Sequence, residues 1–291
     1  MRLAVTGATG FLGWRATVVL RERGHDVLAL ARPGGQAREH ARDLEGVVRV
    51  DAGDPAAREL VAGRDAVLHF AGVPDPAGAR RDPAAAVRAN AGTTLNLLEA
   101  GTPLVYPSSV RAGLEPPPDP YAMSKRLGEE ACRLHATPAI VVRLPSVFGP
   151  GQVRWEGATG AIAAFAARAL DGEPIVIPGD PRRTRDFVYV DDVMLALEQL
   201  VAAGRWGESL AISSRAATPL VRAAELVRGA AGSDVPIELP GGELPPGEDR
   251  SYTQDQLLPT LDFAARSLEA AVSDYVAWLR AHPAAQGRTR A

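Results

Sequence analysis

The first half of the chain alternates short, almost wholly apolar runs with longer stretches of helical periodicity. Residues 3–6, 26–30, 47–50, 66–70, 104–106 and 139–144 read as strands. Apolar side chains at consecutive positions, not alternate ones, mark strands buried on both faces of a parallel sheet. Helical patterns fill the gaps at 11–23, 55–62, 82–100 and 119–136, and Asp119-Pro120 supplies the last of these with an N-cap and a proline at its first turn. The expected fold class is α/β, a doubly wound parallel sheet of Rossmann type.

Past residue 145 the rhythm loosens. A helix is expected over 158–170, strands near 174–177, 187–190 and 208–212, a helix opening at Asp191-Asp192, and an amphipathic helix over 267–280. The Pro-, Gly- and acid-rich stretch 235–260 reads as loop. These patterns divide the chain into a sheet domain over 1–145, with 181–212 returning to its sheet, and a smaller, interleaved portion over 146–180 and 213–282. Residues 283–291 read as a disordered tail.

Composition narrows the function. A chain of 291 residues with 46% hydrophobic and 23% charged residues can bury a sizeable core, and its net charge of −3 offers no field for nucleic acid. Cys132 is alone, which excludes a disulfide framework, and the five histidines are dispersed without metal-ligand spacing. No secretory leader and no 18-residue apolar span is evident, so a cytoplasmic protein without membrane contact is expected.

Gly7, Gly10 and Gly13 follow the first strand and open a helix, with Phe11 and Leu12 between the last two. A glycine turn before a helix N-terminus is suited to a pyrophosphate, because free amides and the positive helix end face it. The end of the second strand should then read the adenosine ribose. Ala31 stands where a carboxylate would bind the 2′-hydroxyl of NAD, and Arg32 follows it. An arginine suits a 2′-phosphate, so NADP is favoured, with NAD still open.

One residue stands out from the composition. Of 32 basic residues, 31 are arginine, and the single lysine, Lys125, lies four positions after Tyr121. That spacing puts both on one helix face. A free tyrosine ionises near 10, too high for acid–base work at neutral pH, and a fixed cation one turn away is expected to lower it. Ser108 and Ser109 end the fifth strand just upstream, where a hydroxyl can polarise a carbonyl or alcohol.

Together these residues resemble the extended short-chain dehydrogenase/reductases of the NAD-dependent epimerase/dehydratase family. The resemblance also covers His69-Phe70-Ala71-Gly72, the segment from Asn90 to Asn96, Arg143 through Gly151 and Arg185 through Val193. It implies a general acid/base at Tyr121, a lysine that holds the nicotinamide ribose at Lys125, and a hydroxyl on the reacting oxygen at Ser109. It further implies cofactor contacts from Asp51 and Ala52 at the adenine, from Phe70, Ala71, Gly72, Asn90 and Ser108, and from Leu144 and Pro145. Substrate contacts fall to Ser146, to Arg185 on a diphosphate, and to Arg250. The helices at 82–100 and 119–136 correspond to those that pair relatives into homodimers.

Several departures shape the functional expectation. Val110-Arg111 follows Ser109 where dehydratases carry an Asp-Glu pair, which argues against 4,6-dehydration. Ser146 stands where nucleotide-sugar enzymes often have asparagine, and Leu244-Pro245-Pro246-Gly247-Glu248 lacks a late arginine that Arg250 would replace. Trp155 and Trp206 are candidate pocket walls, with core packing the commoner role for tryptophan. The favoured reading is an NADP-dependent ketoreductase acting on a nucleotide-activated sugar. The alternatives are an NAD-dependent nucleotide-sugar epimerase, a reductase of a non-sugar ketone, and a cofactor-sensing regulator without chemistry.

Overall fold

The computed structural model describes residues 1–35, 39–157, 159–251 and 258–283. In chain order the elements are β1 (Arg2–Thr6), α1 (Phe11–Glu22), β2 (Asp26–Ala31), β3 (Val47–Arg49), α2 (Pro55–Val61), β4 (Ala66–His69), α3 (Pro76–Arg81), α4 (Pro83–Val87), α5 (Thr93–Leu98), β5 (Leu104–Ser109), α6 (Pro120–Leu134) and β6 (Ala139–Leu144). There follow β7 (Ser146–Phe148), α7 (Ala161–Asp171), β8 (Ile175–Pro178), β9 (Thr184–Arg185), β10 (Phe187–Tyr189), α8 (Val190–Ala202), β11 (Ser209–Ala211), β12 (Thr218–Pro219), α9 (Leu220–Ala230), β13 (Ile237–Gly241) and α10 (Leu268–Ala281).

Seven strands form one parallel sheet in the order β11-β6-β5-β4-β1-β2-β3. Every residue of β4, β5 and β6 is buried, as their unbroken apolar runs anticipate. The strand order reverses between β1 and β4, which pair with Thr6 opposite His69. In such sheets ligands bind at the carboxyl ends beside this reversal. The glycine loop after β1 and the His69–Gly72 segment after β4 therefore flank one crevice.

The chain divides into two compact units. The first holds 1–144, 193–212 and 258–262, and the second holds 145–192, 213–251 and 263–283 among the described residues. Of residues 181–212, 193–212 return to the large sheet, through β11 on β6. Residues 181–192, expected with them, belong to the second unit, because β9 pairs with β12 and β10 with β7. The second unit has its own core, in which Phe148 meets Phe187, Tyr189 and Tyr275 edge-on. Trp155 packs against that core and donates to Asp171 at 2.8 Å, so it takes the packing role.

Three local expectations change. The 82–100 helix is split into α4 and α5 by a wider π-type turn over Arg88–Gly92. The 235–260 stretch contains β13, which pairs with β8. Two helices, α3 and α9, were not anticipated, although Asp75-Pro76 opens α3 with the same cap-and-proline signal as Asp54-Pro55, Asp82-Pro83 and Asp119-Pro120. Of the tail expected at 283–291, residues 284–291 lie outside the described residues. No described helix is long and apolar enough to cross a membrane.

Candidate active site

The glycine loop is built for close approach. Gly7 has φ of 69°, and a Cβ there would lie 2.8 Å from the Ala71 nitrogen. A Cβ on Gly13 would lie 2.2 Å from the Gly7 carbonyl oxygen, so only glycine lets α1 start this tightly against the loop. Gly10 caps α1, and the first turn, with half-buried Phe11 and Leu12, carries no acidic residue to repel an anion. The amides and positive helix end fit a pyrophosphate, and the side-chain-free cradle fits the close backbone approach a dinucleotide requires.

At the adenosine end, Ala31 is buried and Arg32 is exposed, with no carboxylate closing β2. Asp51 turns its Oδ1 onto the Gly53 amide at 2.8 Å, and Ala52 is buried beside it. Asn96 fixes this turn by donating to the carbonyls of Ala52 and Asp54 at 2.8 and 2.9 Å. Sequence reasoning marked Asn96 only as the end of a motif.

Beneath the crevice lies a one-way hydrogen-bond chain. The Ala71 amide donates to Thr6 Oγ1 at 3.1 Å, which leaves the Thr6 hydroxyl proton for His69 Nδ1 at 2.7 Å. Thr93 gives its own proton to the Ala89 carbonyl at 2.6 Å, so it accepts from His69 Nε2 at 3.1 Å. This pattern needs a neutral imidazole protonated on Nε2. Burial, and then the Lys125 charge, push His69 down to about 3, which keeps it neutral. Phe70 and Ala71 are half-buried at the strand end, and Gly72 passes so close to Asn90 that a Cβ would meet its Oδ1 at 2.2 Å. Asn90 accepts from the Val73 amide and donates to Ser124 at 2.8 Å, fastening the loop after β4 to α6. The π-type turn places it there.

Ser109 and Tyr121 lie near each other in the first unit, with Lys125 one turn along α6. Ser109 closes β5, and its hydroxyl acts on Tyr121, in the first turn of α6. Tyr121 does not follow the expected lowering. Burial raises it to about 12, opposed by the Ser109 hydroxyl and the Arg111 cation and reinforced by Asp119 and Asp75. The Lys125 ammonium is directed elsewhere: it donates to the Pro107 carbonyl at 2.9 Å and sits 5.0 Å from the centre of the Tyr106 ring. Burial lowers Lys125 to about 8, against the pull of Glu129.

Ser108 faces a second network. It donates to Glu129, which also takes a two-pronged contact from Arg143 at 2.8 and 2.7 Å. Arg143 thus braces the end of β6, and Leu144 is buried at the last position of that strand. Pro145 begins the second unit.

In the second unit, Ser146 is half-buried on β7, its amide bonded to the Asp186 carbonyl at 2.9 Å. Arg185 donates to the backbone carbonyls of Thr184 at 2.8 Å, Arg250 at 2.6 Å and Glu248 at 3.3 Å. It therefore holds the segment that carries the exposed side chain of Arg250. Asp186 accepts from the amide and hydroxyl of Ser214, and Asp192 accepts from the amide and Nε of Arg266 at 2.9 and 3.0 Å. Asp192 is thus tied to Arg266 ahead of α10.

Comparison with known proteins agrees with this architecture. A sequence model of the NAD dependent epimerase/dehydratase family matches residues 3–212. A dTDP-4-dehydro-6-deoxy-D-allose reductase of Streptomyces bikiniensis is 27% identical over 96% of both chains. A ceramide reductase of Caulobacter vibrioides is 36% identical over 53% of this chain and 49% of its own. The solved structure of the Thermus thermophilus UDP-glucose 4-epimerase in complex with NAD superimposes with a TM-score of 0.79, at 26% identity, covering 96% of this chain and 99% of that one. The chain belongs to the NAD dependent epimerase/dehydratase family, and so to the extended short-chain dehydrogenase/reductases.

Proposed function

We propose that this protein is an NADP-dependent ketoreductase of a nucleotide-activated sugar. The observation that carries the reading is the pairing of the Ser109 and Tyr121 hydroxyls at the carboxyl end of β5, with Lys125 one turn along α6. A nicotinamide dinucleotide, held along the Gly7–Gly13 loop, would supply the hydride for the carbonyl carbon. Tyr121 gives its phenolic proton to the carbonyl oxygen, and Ser109 donates a hydrogen bond to that same oxygen. A phenol held up at about 12 is protonated at neutral pH, which suits a proton donor and so the reductive direction. Lys125 offers a compact ammonium to ribose hydroxyls. The open end of β2 with Arg32 supports NADP, although the Thermus relative binds NAD. The reductase relative that spans 96% of both chains supports a keto sugar as substrate. We assign Ser146, Arg185 and Arg250 to its binding, Arg185 through the backbone of the Glu248–Arg250 segment.

Epimerisation is the second reading, favoured by the Thermus structure. An epimerase retains its NAD, so nucleotide analysis of the purified protein separates the two. NADPH should be consumed at 340 nm with a dTDP-4-dehydro-6-deoxy-hexose, and NADH far more slowly. Tightly held NAD with interconversion of UDP-glucose would overturn the reductase. Tyr121→Phe should lower kcat by at least about 100-fold with NADPH affinity changed less than about twofold; retained turnover would remove Tyr121 from the chemistry.

We also assign a homodimer. Leu95 on α5 and Met123, Leu127 and Leu134 on α6 are 46%, 42%, 40% and 73% exposed, an apolar face that a second copy would cover. A monomeric mass by sedimentation equilibrium would refute it. We assign a cytoplasmic setting, in keeping with a single, buried cysteine, Cys132.

A further inference from the structure

Arg111 occupies the place where a dehydratase would carry an acid, and its contacts give it a different task. Its amide donates to Ser109 Oγ at 3.2 Å. Its guanidinium pairs with the Asp119 carboxylate, and the two side chains are only 12% and 1% exposed. The other oxygen of Asp119 accepts from the Ala122 amide at 2.8 Å and caps α6 next to Tyr121. The contacts run from Ser109 through Arg111 and Asp119 to the N-terminus of α6, which carries Tyr121 back toward the Ser109 hydroxyl.

A cap alone needs one carboxylate oxygen, as Asp54, Asp75 and Asp82 show at their own helices. Asp119 gives its second oxygen to Arg111. Burying an ion pair is costly unless its geometry is good, so a pair at this depth is retained for placement as much as for stability. Arg126, on the next turn of α6, holds the same short connection from the other side. It donates to the carbonyls of Ala112 and Leu114 and to Glu115. The segment between the two hydroxyls is thus pinned at both ends to the helix that bears Tyr121.

We propose that Arg111 and Asp119 form a clamp that sets the distance between the Ser109 and Tyr121 hydroxyls, making Arg111 a positioning residue for hydride transfer. The proposal rests on reading those hydroxyls as the reacting pair. A misplacement of about 1 Å in such a pair costs on the order of 100-fold in rate.

The test uses the full chain, NADPH and a dTDP-4-dehydro-6-deoxy-hexose, with Arg111→Met, Arg111→Lys and the double variant Arg111→Met/Asp119→Asn. The double variant removes both buried charges while asparagine preserves the cap, so it controls for misfolding. Arg111→Met should lower kcat about 30-fold while the sugar KM and the NADPH affinity change less than about threefold. Arg111→Lys should recover most of that loss. The double variant should melt close to the parent yet keep the kcat defect. Amide hydrogen exchange over 109–122, read without substrate, should rise in both methionine variants. Parental kcat and exchange in the double variant would overturn the clamp. If Tyr121→Phe is inactive while Arg111→Met turns over normally, the clamp alone fails. If Tyr121→Phe turns over normally, the reading of the site falls and the clamp falls with it.

Discussion

Two buried polar networks lie within the first unit, and they solve the same problem in opposite ways. Thr6, His69 and Thr93 pass hydrogen bonds in a single direction through a neutral ring. Ser108, Glu129 and Arg143 balance a full negative charge against a full positive one. Lys125 is coupled to both: its charge depresses His69, and Glu129 supports its own protonation. Burial keeps His69 neutral and the buried ammonium adds to that, while Glu129 serves the ammonium as a counter-charge. The contrast teaches that His69 is a spacer between β1, β4 and the α5 turn, without a proton to exchange at neutral pH. On the proposed reading, the acid–base work falls to Tyr121.

The contrast breaks first at Glu129. Glu129→Gln leaves the Arg143 guanidinium without its carboxylate in a dry site, and breaking such a pair costs about 3–5 kcal/mol. Urea unfolding should show that loss, and Glu129→Met combined with Arg143→Met should recover most of it. A single-variant loss under about 1 kcal/mol would mean that water reaches the pair and that the two networks do not differ in kind.

His69 comes second. Its folded value of about 3 lies below the ordinary 6.5, so between those values the unfolded chain binds a proton that the folded chain refuses. Stability is then complete above pH 6.5 and falls as the pH drops. Between about pH 6.5 and about 4.5 the loss is about 2 kcal/mol. His69→Asn should remove that share of the slope in urea titrations at several pH values. Equal slopes in the two proteins would show that the ring protonates inside the fold.

Much of this site was legible in the chain because its parts are local. The glycine loop is one contiguous segment, Gly7 to Gly13, and Tyr121 and Lys125 are one helical turn apart. The parallel sheet announced itself through apolar runs with no alternation, as in Ala139–Leu144. What stayed hidden depends on contacts across sequence. Ser108 and Arg143 meet at Glu129 from 21 and 14 positions away. Arg111 looked like one arginine among 31 until Asp119 was placed against it. The break at Asn90 follows from a side chain that must reach Val73 and Ser124, which helical periodicity does not record. In the second unit β7, β9 and β12 are two or three residues long, too short for any period to show, whereas the apolar run at 187–190 marked β10. The helix α3 is different: Asp75-Pro76 signalled it as plainly as Asp119-Pro120 signalled α6.

The smallest effect belongs to Lys125, and it separates stability from function. Its folded value of about 8 lies below the ordinary 10.5, so below pH 8 both states carry the charge and the folded state bears the full cost of burying it. From pH 8 upward the folded lysine gives up its proton while the unfolded one keeps it, and stability rises. Between about pH 8 and about 9.5 the gain is about 1.5 kcal/mol. Lys125→Met should flatten this rise, be no less stable than the parent near neutral pH, and still lose turnover. Lys125→Arg should keep the charge and lose turnover as well, because a planar guanidinium cannot take the place of an ammonium fitted between the Pro107 carbonyl and the Tyr106 ring. An unchanged slope in Lys125→Met would show that the ammonium is solvated, and the division between a neutral and an ionic network around it would then have no charge at its centre.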